Sequence, residues 1–496
     1  MAVPAAGRAL RRARAAADDE DSGRTPPLEV HVNHVAAEPD VPATTPMPDY
    51  SEIPRITVTR SSADVAPGFL FISPQSMFEP TVPHGPQIVD DQGRLVWFHP
   101  VPEGQYATNV RVQRYRGEPV ITWWQGTATD TGVGVGTAYV ADLNYRVIAS
   151  VQVGGGHSAD LHEFLLTDRD TALVVSYQER SVDLSELGGP ADGTVIDGVV
   201  EEIDVATGEV LLHWSGLEHI PVQESDMPVV MALATGQPYD YLHLNAVSID
   251  DDGHLLITAR ISSAVYKVHR RTGEVLWKLG SGYSTFVLGV GARVNWPHDG
   301  QAVGDGVYRI FDNGANNMIE GYESRVVWVR ADTETGVATH VRTLTHPEHL
   351  SSVAEGNAQE LPNGNVLVGW GRVGRISEFS PDGELLFEAE TPSGPGWTTY
   401  RAFRHEWEGR PATPPEVRFD GEHVHAFWNG ATGVARWRLL AGDTEDALRE
   451  ADVVDWDGLD TTIKLPEAGR AGFVRLEALD ADGKVIDASP VTRLGA

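Results

Sequence analysis

The feature that most constrains the fold is a strand-turn-strand unit that recurs along the chain. Six segments place a short polar turn between runs rich in Val, Ile, Leu and aromatic residues: IVDDQGRLVWFH, VADLNYRVIASVQV, EIDVATGEVLLHWSG, VHRRTGEVLWKLG, RADTETGVATHVRTL and EFSPDGELLFEAE. This pattern is typical of β-hairpins. A second series of apolar strands falls between them, and the two series alternate with a period of about fifty to sixty residues.

Repeats of this length predict four-stranded sheets set around a central channel. Because there are six hairpins, we predict an all-β chain whose main domain is a six-bladed β-propeller. The blades of a propeller leave only short, protected strand edges, which allows so strand-rich a chain to stay soluble. No long stretch has apolar residues at helical spacing, as a parallel α/β fold would require.

The repeat covers about residues 65–405 of the 496, so we expect additional parts at both ends. Residues 1–50 include RALRRARAAADDEDSGRTPP and continue as polar, Pro-rich sequence, which predicts a disordered arm. Residues 51–410 would hold the propeller. Residues 411–496 contain short alternating strands such as HVHAFWNG and GFVRLEALD. They predict a small fibronectin type III-like or immunoglobulin-like β-sandwich, with Trp428 and Trp437 in its core.

Composition narrows the possible partners. The formal net charge is −33 and the chain has only four lysines, which disfavours nucleic acid and anionic membranes, since both require a basic surface. A local cationic pocket can still attract a small anion, because exposed charges are screened beyond roughly 8 Å at physiological ionic strength. Cysteine is absent, which excludes thiolate catalysis, disulfides and iron–sulfur ligation.

Neither a transmembrane segment nor an ordinary signal peptide is predicted. The arginines near the start of the sequence are followed by an acidic run and not by the apolar stretch that a signal peptide contains. The sequence by itself therefore predicts no export route, and it does not predict an oligomeric state.

Three histidines occupy matching places in the repeat: His162 in LHEFLLTD, His243 in LHLNAVSI and His298 in PHDGQAVG. Each opens a run that passes through a turn into an apolar strand. Equivalent positions in a closed repeat converge on one axis, so we expect the three imidazoles to meet in one polar pocket. A single His near a strand start is more often a hydrogen-bonded structural residue, but three at equivalent positions favour a functional site.

Further polar residues are expected in this pocket. Asn245 follows the second of these histidines by two residues, on the same strand face, and that unit ends in Arg260. Asn357 opens a later unit, and the first unit offers Thr108 or Asn109. A guanidinium, imidazoles and amides with no obvious carboxylate suit an oxyanion such as sulfate, sulfonate or phosphate. We therefore predict an anion site.

A metal site is the strongest chemical alternative, because three histidines can bind zinc or copper. Arg260 would repel the cation, so we predict neither a metal nor another cofactor. Asp299 should point to the strand face opposite to the preceding histidine, and Asp312 in FDNG is as easily part of a turn. We assign no role to the histidines outside the pattern, which include His213, His219, His346 and His349.

Three segments carry a family resemblance: DYLHLNAVSIDDDGHLLITARISSAVYKVHRRTGEVLWKLG, VNWPHDGQAVGDGVYRIFDNG and GNAQELPNGNVLVGWGRVGRISEF. They resemble bacterial arylsulfotransferases, which move a sulfuryl group between phenols without a nucleotide sulfate donor. The likeness covers about residues 55–405 and implies a six-bladed propeller with a central site. It implies that His298 of WPHD takes up the sulfuryl group covalently. His243, Asn245, Arg260 and His162 would then hold the sulfuryl oxygens and assist proton transfer.

The residues are compatible with such chemistry. A neutral His298 would attack the sulfur of an aryl sulfate, and His243 or His162 would donate a proton to the leaving phenolate. Arg260 and Asn245 would stabilise the charge on the sulfuryl oxygens. Arg260 would also keep His298 unprotonated, and Asn357 would bind substrate. Trp296, beside the nucleophile, would pack either on an aryl ring or in a structural role.

The sequence departs from the family at some points. Pro297 precedes the expected nucleophile where the enterobacterial enzymes have a glutamine. Those enzymes also carry a disulfide and an export signal. The resemblance nevertheless implies a periplasmic or extracellular location and small substrates, an aryl sulfate donor and a phenolic acceptor. Two alternatives stay open: a non-catalytic propeller that binds a small anionic ligand, and a metal-dependent hydrolase or lyase.

Overall fold

The computed structural model describes residues 40–494, with the exception of 44, 77, 80, 130, 281, 316–321, 395 and 466–470. These residues form many antiparallel sheets, and the prediction of an all-β fold is confirmed. Most of the predicted arm, residues 1–39 together with residue 44, lies outside the described residues. Met47 and Tyr50, at the end of that arm, pack against a core cluster that contains Leu70 and Phe387.

Between residues 57 and 405, the described part of the chain contains six sheets of four or five strands. Sheet 1 contains Phe403–His405, Phe69–Ile72, Gln87–Val89 and Leu95–Phe98; sheet 2 contains Tyr106–Tyr115, Glu118–Ala128, Gly134–Ala141 and Val147–Val151. Sheet 3 contains Phe164–Leu166, Thr171–Val182, Gly193–Asp204 and Val210–Ser215, with Tyr239–Asp240 alongside; sheet 4 contains Leu244–Ile249, Leu255–Ala259, Ala264–Val268 and Val275–Gly280. Sheet 5 contains His298–Ala302, Val307–Asp312, Arg325–Asp332, Val337–Thr345 and Val287–Leu288; sheet 6 contains Asn357–Glu360, Val366–Gly369, Arg375–Phe379, Leu385–Glu390 and Thr57–Ser61.

The six sheets form a closed ring. The first strand given for each sheet is called its inner strand below. Each sheet contacts the next one in the numbering through at least one inner strand, and sheet 6 contacts sheet 1 in the same way. Thr57–Ser61 pairs with Leu385–Glu390, and Phe403–His405 pairs with Phe69–Ile72. Sheets 1 and 6 therefore combine strands from distant parts of the sequence, which closes the ring and covers strand edges. We interpret the ring as the blades of the propeller.

The strands after residue 411 form two further sheets. One contains Glu416–Phe419, His423–Phe427 and Asp460–Lys464; the other contains Arg436–Gly442, Arg449–Asp455, Phe473–Leu479, Val485–Ala488 and Thr492–Arg493. Trp428 and Trp437 belong to the core cluster that these strands enclose, and their rings lie edge to face at 6.4 Å. The Asn429 side chain exchanges two hydrogen bonds with the backbone of Phe98. We propose that this unit is the expected β-sandwich, fixed to sheet 1.

Helices contribute little to the structure. The two α-helices among the described residues, Gly216–His219 and Val229–Thr235, both lie between Val210–Ser215 and Tyr239–Asp240 of sheet 3. No helix in the described part of the chain has the length and hydropathy needed to span a membrane.

Candidate active site

A cavity of about 490 Å³ opens at the centre of the ring, where the inner strands begin. Its wall includes His162, His243, Arg260 and His298, the residues for which catalytic roles are predicted. They come from sheets 3, 4 and 5 or from the connections that lead into and out of their strands. The expected convergence of equivalent repeat positions thus occurs at this cavity.

His298 is the first residue of the inner strand of sheet 5 and is buried. Its Nδ1 lies 2.7 Å from Oδ1 of Asn313. The Asn313 side-chain amide donates to the carbonyl oxygens of Ser352 and Glu355, both at 3.0 Å, so its Oδ1 is directed at the imidazole. Nδ1 of His298 therefore carries the proton, and Nε2 keeps its lone pair. Nε2 accepts the backbone N–H of Glu355 at 3.1 Å.

The pKa of His298 is held well below the ordinary histidine value. Burial is the largest cause, and the positive charge of Arg260 acts in the same direction. Burial also lowers the pKa of Arg260, to about 10, so this guanidinium remains charged near neutral pH. His298 is consequently neutral under conditions where Arg260 is a cation. The sequence identified the role of the arginine but not the larger contribution of burial.

Arg260 is held by an aromatic ring. Its guanidinium carbon lies 4.0 Å from the centroid of the Trp296 ring, and Nη2 donates to the carbonyl oxygen of Val353 at 3.2 Å. Its Nε is buried and has no hydrogen-bond partner in the described residues. Trp296 lies outside the cavity wall, so it supports the guanidinium by a cation–π contact. The structure favours this positioning role for Trp296 over packing on an aryl ring.

His162 and His243 each face a carboxylate. Nδ1 of His162 lies 2.5 Å from Oδ1 of Asp160, and Nδ1 of His243 lies 2.5 Å from Oδ2 of Asp240. The two imidazole rings are nearly perpendicular, with centroids 4.8 Å apart. A carboxylate at Nδ1 fixes the tautomer and orientation of an imidazole and leaves Nε2 to exchange protons. The expectation of a site without a carboxylate is therefore wrong.

Burial lowers the pKa of His243, although the charge of Asp240 opposes that shift. His243 also has a left-handed backbone, with φ of 52°, as do Trp296 at 49° and Glu355 at 65°. Non-glycine residues rarely adopt this conformation, and such strain is concentrated at functional sites. Three strained residues therefore lie in or next to the cavity wall.

Asn245 and Asn357 are close to the cavity but are not part of its wall. The Asn245 amide donates to the carbonyl oxygen of Pro297 at 2.8 Å. Asn357 donates to the carbonyl oxygen of Ala402 at 2.9 Å and accepts the backbone N–H of the same residue at 3.0 Å. Both side chains thus fix neighbouring backbone, and contact of either with substrate stays a prediction.

The alternatives Thr108 and Asn109 differ in position. Thr108 lies in the cavity wall, whereas Asn109 does not. Both side chains donate to the carbonyl oxygen of Leu161, at 2.6 and 2.8 Å, respectively. They therefore hold the turn that carries the neighbouring His162.

Sequence reasoning missed several polar residues of the wall, among them Glu355, Arg372, Thr398 and Tyr400. The Glu355 carboxylate pairs with Nε of Arg372 at 2.8 Å and accepts the Thr398 hydroxyl at 2.5 Å. The ring of Tyr400 packs edge-on against His162, with centroids 5.6 Å apart. The repeat contained a sequence signal for this part of the wall. AEGNAQ and WTTYRAF lead into the inner strands of sheets 6 and 1, at the positions equivalent to the histidines of the other sheets.

The two aspartates near His298 have structural partners. Asp299 turns away from the cavity and accepts the backbone N–H of Ala358 at 2.9 Å. Asp312 accepts the backbone N–H of Asn295 at 2.8 Å and pairs with Nε of Arg325 at 2.9 Å. Within the described residues, no group of His, Asp and Glu has an arrangement that could hold a metal ion.

A ring of β-sheets with imidazoles and a guanidinium at its centre defines a propeller with a site suited to an anion. The chain matches the family model described as Arylsulfotransferase (ASST) over residues 111–391, which is more than half of its length. It therefore belongs to the arylsulfotransferase family. Membership supports, in general terms, an aryl sulfotransferase activity and small-molecule substrates.

Several solved structures show a distant likeness to this chain. A protein of unknown function from Bacteroides caccae is 13% identical with a TM-score of 0.42, and the match covers 68% of this chain and 98% of that one. A periplasmic gluconolactonase from Pseudomonas aeruginosa is 15% identical with a TM-score of 0.35, covering 80% and 99%. Virginiamycin B lyase from Staphylococcus aureus is 10% identical with a TM-score of 0.30, covering 64% and 95%. The search of curated proteins gave no match.

Proposed function

We propose that this chain transfers a sulfuryl group from an aryl sulfate ester to a phenolic acceptor, in two steps and without a nucleotide donor, with His298 as the carrier. The observation that carries the proposal is the state of His298. Its Nδ1–H donates a hydrogen bond to Oδ1 of Asn313, which leaves the lone pair on Nε2. Its low pKa keeps the imidazole neutral beside the charged Arg260. A neutral imidazole next to a fixed cation suits attack on an anionic ester.

In the first half-reaction, Nε2 of His298 attacks the sulfur, the N–S bond forms and the bond between sulfur and the aryl oxygen breaks. The electron pair stays on the aryl oxygen, which takes a proton from Nε2 of His243 or His162. Arg260 stabilises the charge of the sulfuryl oxygens. The Glu355 N–H, which donates to Nε2 in the free protein, is released by sulfurylation and becomes available to a sulfuryl oxygen.

In the second half-reaction, the oxygen of an acceptor phenol attacks the same sulfur. Its proton passes to the histidine that protonated the first phenolate, and the electron pair of the N–S bond returns to Nε2 of His298. Oδ1 of Asn313 accepts a hydrogen bond from the Nδ1–H of His298 throughout both half-reactions. This hydrogen bond stabilises the positive charge on the sulfurylated imidazole. Both half-reactions thus use one set of groups.

The proposal is tested with purified protein and para-nitrophenyl sulfate, with and without phenol. We expect nitrophenolate release that depends on phenol, formation of phenyl sulfate, and a sulfuryl adduct on His298 in peptide mass spectrometry of the donor-only reaction. Binding of aryl sulfates without release or adduct would contradict the proposal and support the non-catalytic propeller that binds an anion. Release that requires an added metal would instead support a metal-dependent hydrolase.

The proton donor can be identified by a matched pair of variants. Asp240→Asn removes the charge that raises the pKa of His243, and Asp160→Asn removes the carboxylate at Nδ1 of His162. We expect the variant that affects the true donor to slow transfer from phenyl sulfate by about 10²-fold, because phenolate is a basic leaving group. The nitrophenolate burst of the first half-reaction with para-nitrophenyl sulfate should change little, since nitrophenolate leaves without a proton.

The pH dependence provides the control. If His243 is the donor, its lowered pKa means that the imidazolium accumulates only below the ordinary histidine value. Single-turnover rates with phenyl sulfate should then rise as the pH falls below about 6.5, until His298 itself protonates. Asp240→Asn should move that rise to lower pH. Equal loss with both donors, together with a lower melting temperature, would show that the aspartates are only structural.

A further inference from the structure

A second cavity, of about 410 Å³, lies farther along the inner strands that line the catalytic cavity. The inner strand of sheet 5 places His298 at the catalytic cavity and Gln301 at the second one. In the same way, the inner strand of sheet 2 places Thr108 at the catalytic cavity and Arg111 at the second one. The segment that leads into and through the inner strand of sheet 1 places Tyr400 at the catalytic cavity and His405 at the second one. The two cavities therefore lie at opposite ends of the ring axis.

A buried ionic network separates them. Glu163 pairs with Nη1 of Arg401 at 2.9 Å and with Nη2 of Arg111 at 2.7 Å, and all three side chains are largely buried. Arg401 also donates to the carbonyl oxygen of Asn245 at 2.9 Å. The network lies between the catalytic groups and the second cavity, so a ligand in the second cavity would not contact His298.

Arg309 is an under-paired cation in the wall of the second cavity. It is only 7% exposed, and its Nε has no hydrogen-bond partner in the described residues. The nearest carboxylate oxygen, Oδ2 of Asp299, is 3.9 Å from Nη2, and it already accepts the backbone N–H of Ala358. Buried charges are normally paired and hydrogen-bonded, because desolvation without compensation is costly. An anion in the cavity would supply the missing partner.

The remaining wall indicates what kind of anion fits. Leu165, Leu166 and Phe403 provide apolar surface. His405 has a buried Nε2 without a partner, and burial lowers its pKa to about 4, so it can act as a neutral hydrogen-bonding group. The charges of Arg114 and Asp168, which also line this cavity, offset each other, and Arg111 is paired with Glu163. Arg309 is thus the under-paired cation of this wall, and its combination with apolar surface suits an organic anion better than an inorganic one.

We propose that the second cavity binds a small organic monoanion, whose carboxylate or sulfonate group pairs with Arg309 while its apolar part packs on Leu165 and Phe403. This site is independent of the sulfuryl-transfer site and of the activity proposed above. It requires only that the ring is folded.

Benzoate is the probe, and its binding to the full chain is measured by isothermal titration calorimetry. Gln301 is the cross-strand partner of Arg309, lines the same cavity and is partly exposed. Gln301→Glu keeps the shape of the side chain but adds a negative charge, and should weaken benzoate binding about tenfold. Gln301→Lys adds a positive charge and should bind benzoate at least as tightly as the wild type.

Arg260→Ala, in the catalytic cavity, is the matched control and should leave unchanged the component of benzoate binding that Gln301→Glu weakens. Thermal unfolding establishes that each variant is folded. Loss of binding in Arg260→Ala together with full binding in Gln301→Glu would place the anion in the catalytic cavity and overturn the proposal. Absence of benzoate and benzenesulfonate binding to the wild type would overturn it as well.

Discussion

His298→Asn is expected to abolish phenol-dependent nitrophenolate release, with a loss of at least about 10⁴-fold, while the protein stays folded. Asparagine removes the nucleophilic nitrogen but keeps a polar side chain that can face Asn313 and the Glu355 N–H. Release is followed at saturating para-nitrophenyl sulfate, and folding is followed by circular dichroism during thermal unfolding. The sulfuryl adduct should disappear together with the activity.

His346→Asn is the matched control for this variant. His346 is also buried, but it follows the sheet 5 strand Val337–Thr345, is bound to Glu388 through Nε2 and packs against Trp370. Its replacement should lower the melting temperature and leave the activity of the folded protein intact. Retained sulfuryl transfer in His298→Asn, or unfolding of that variant, would contradict the assignment of the nucleophile.

Arg260→Ala is expected to lower transfer by about 10²–10³-fold, as the loss of one well-placed oxyanion donor does. Stability should change little, because the guanidinium makes one hydrogen bond, to Val353, and its Nε has no partner in the described residues. The measurement is kcat/KM for para-nitrophenyl sulfate beside the melting temperature. Arg260→Lys should restore only a small part of the lost kcat/KM, since an ammonium group lacks the planar pair of N–H donors that binds two oxygens.

Two further variants separate a catalytic from a structural role for this arginine. Trp296→Leu removes the ring under Arg260 and should lower activity less than Arg260→Ala. Arg325→Ala breaks a structural pair with Asp312 and should reduce the melting temperature while activity persists. If Arg260→Ala instead lowers the melting temperature as Arg325→Ala does, and its kinetic loss follows that instability, Arg260 is a structural residue.

The sequence predicted those parts of the fold that depend on local pattern. Alternation of apolar residues and hairpin turns predicted the strands, and the repeat predicted that His162, His243 and His298 meet at one cavity. It did not predict how the ring closes. The pairing of Thr57–Ser61 with Leu385–Glu390 joins segments that are far apart in sequence, and no local pattern encodes such a partner.

At the site, one irregular stretch of backbone departs from the strand periodicity that the sequence analysis used. The register of the inner strand of sheet 4 shifts between Leu244 and Ala246, so Asn245 sits in a bulge next to the left-handed His243. A bulge breaks the two-residue alternation on which the prediction of a pocket-facing Asn245 rested. The same irregular backbone brings Asp240 back to the imidazole of His243, a contact that strand periodicity does not encode.

The closure of the ring has a consequence for biosynthesis. The inner strand of sheet 1, Phe403–His405, comes last in the sequence of the ring and pairs with Phe69–Ile72. The ring is therefore incomplete until the ribosome has translated the chain beyond residue 405. All three histidines are translated well before that point. A nascent chain halted before residue 400 therefore contains every proposed catalytic side chain but lacks Tyr400 and the closing strand, and it should be inactive. The proposed sulfuryl transfer is thus expected only after the entire ring has been synthesised.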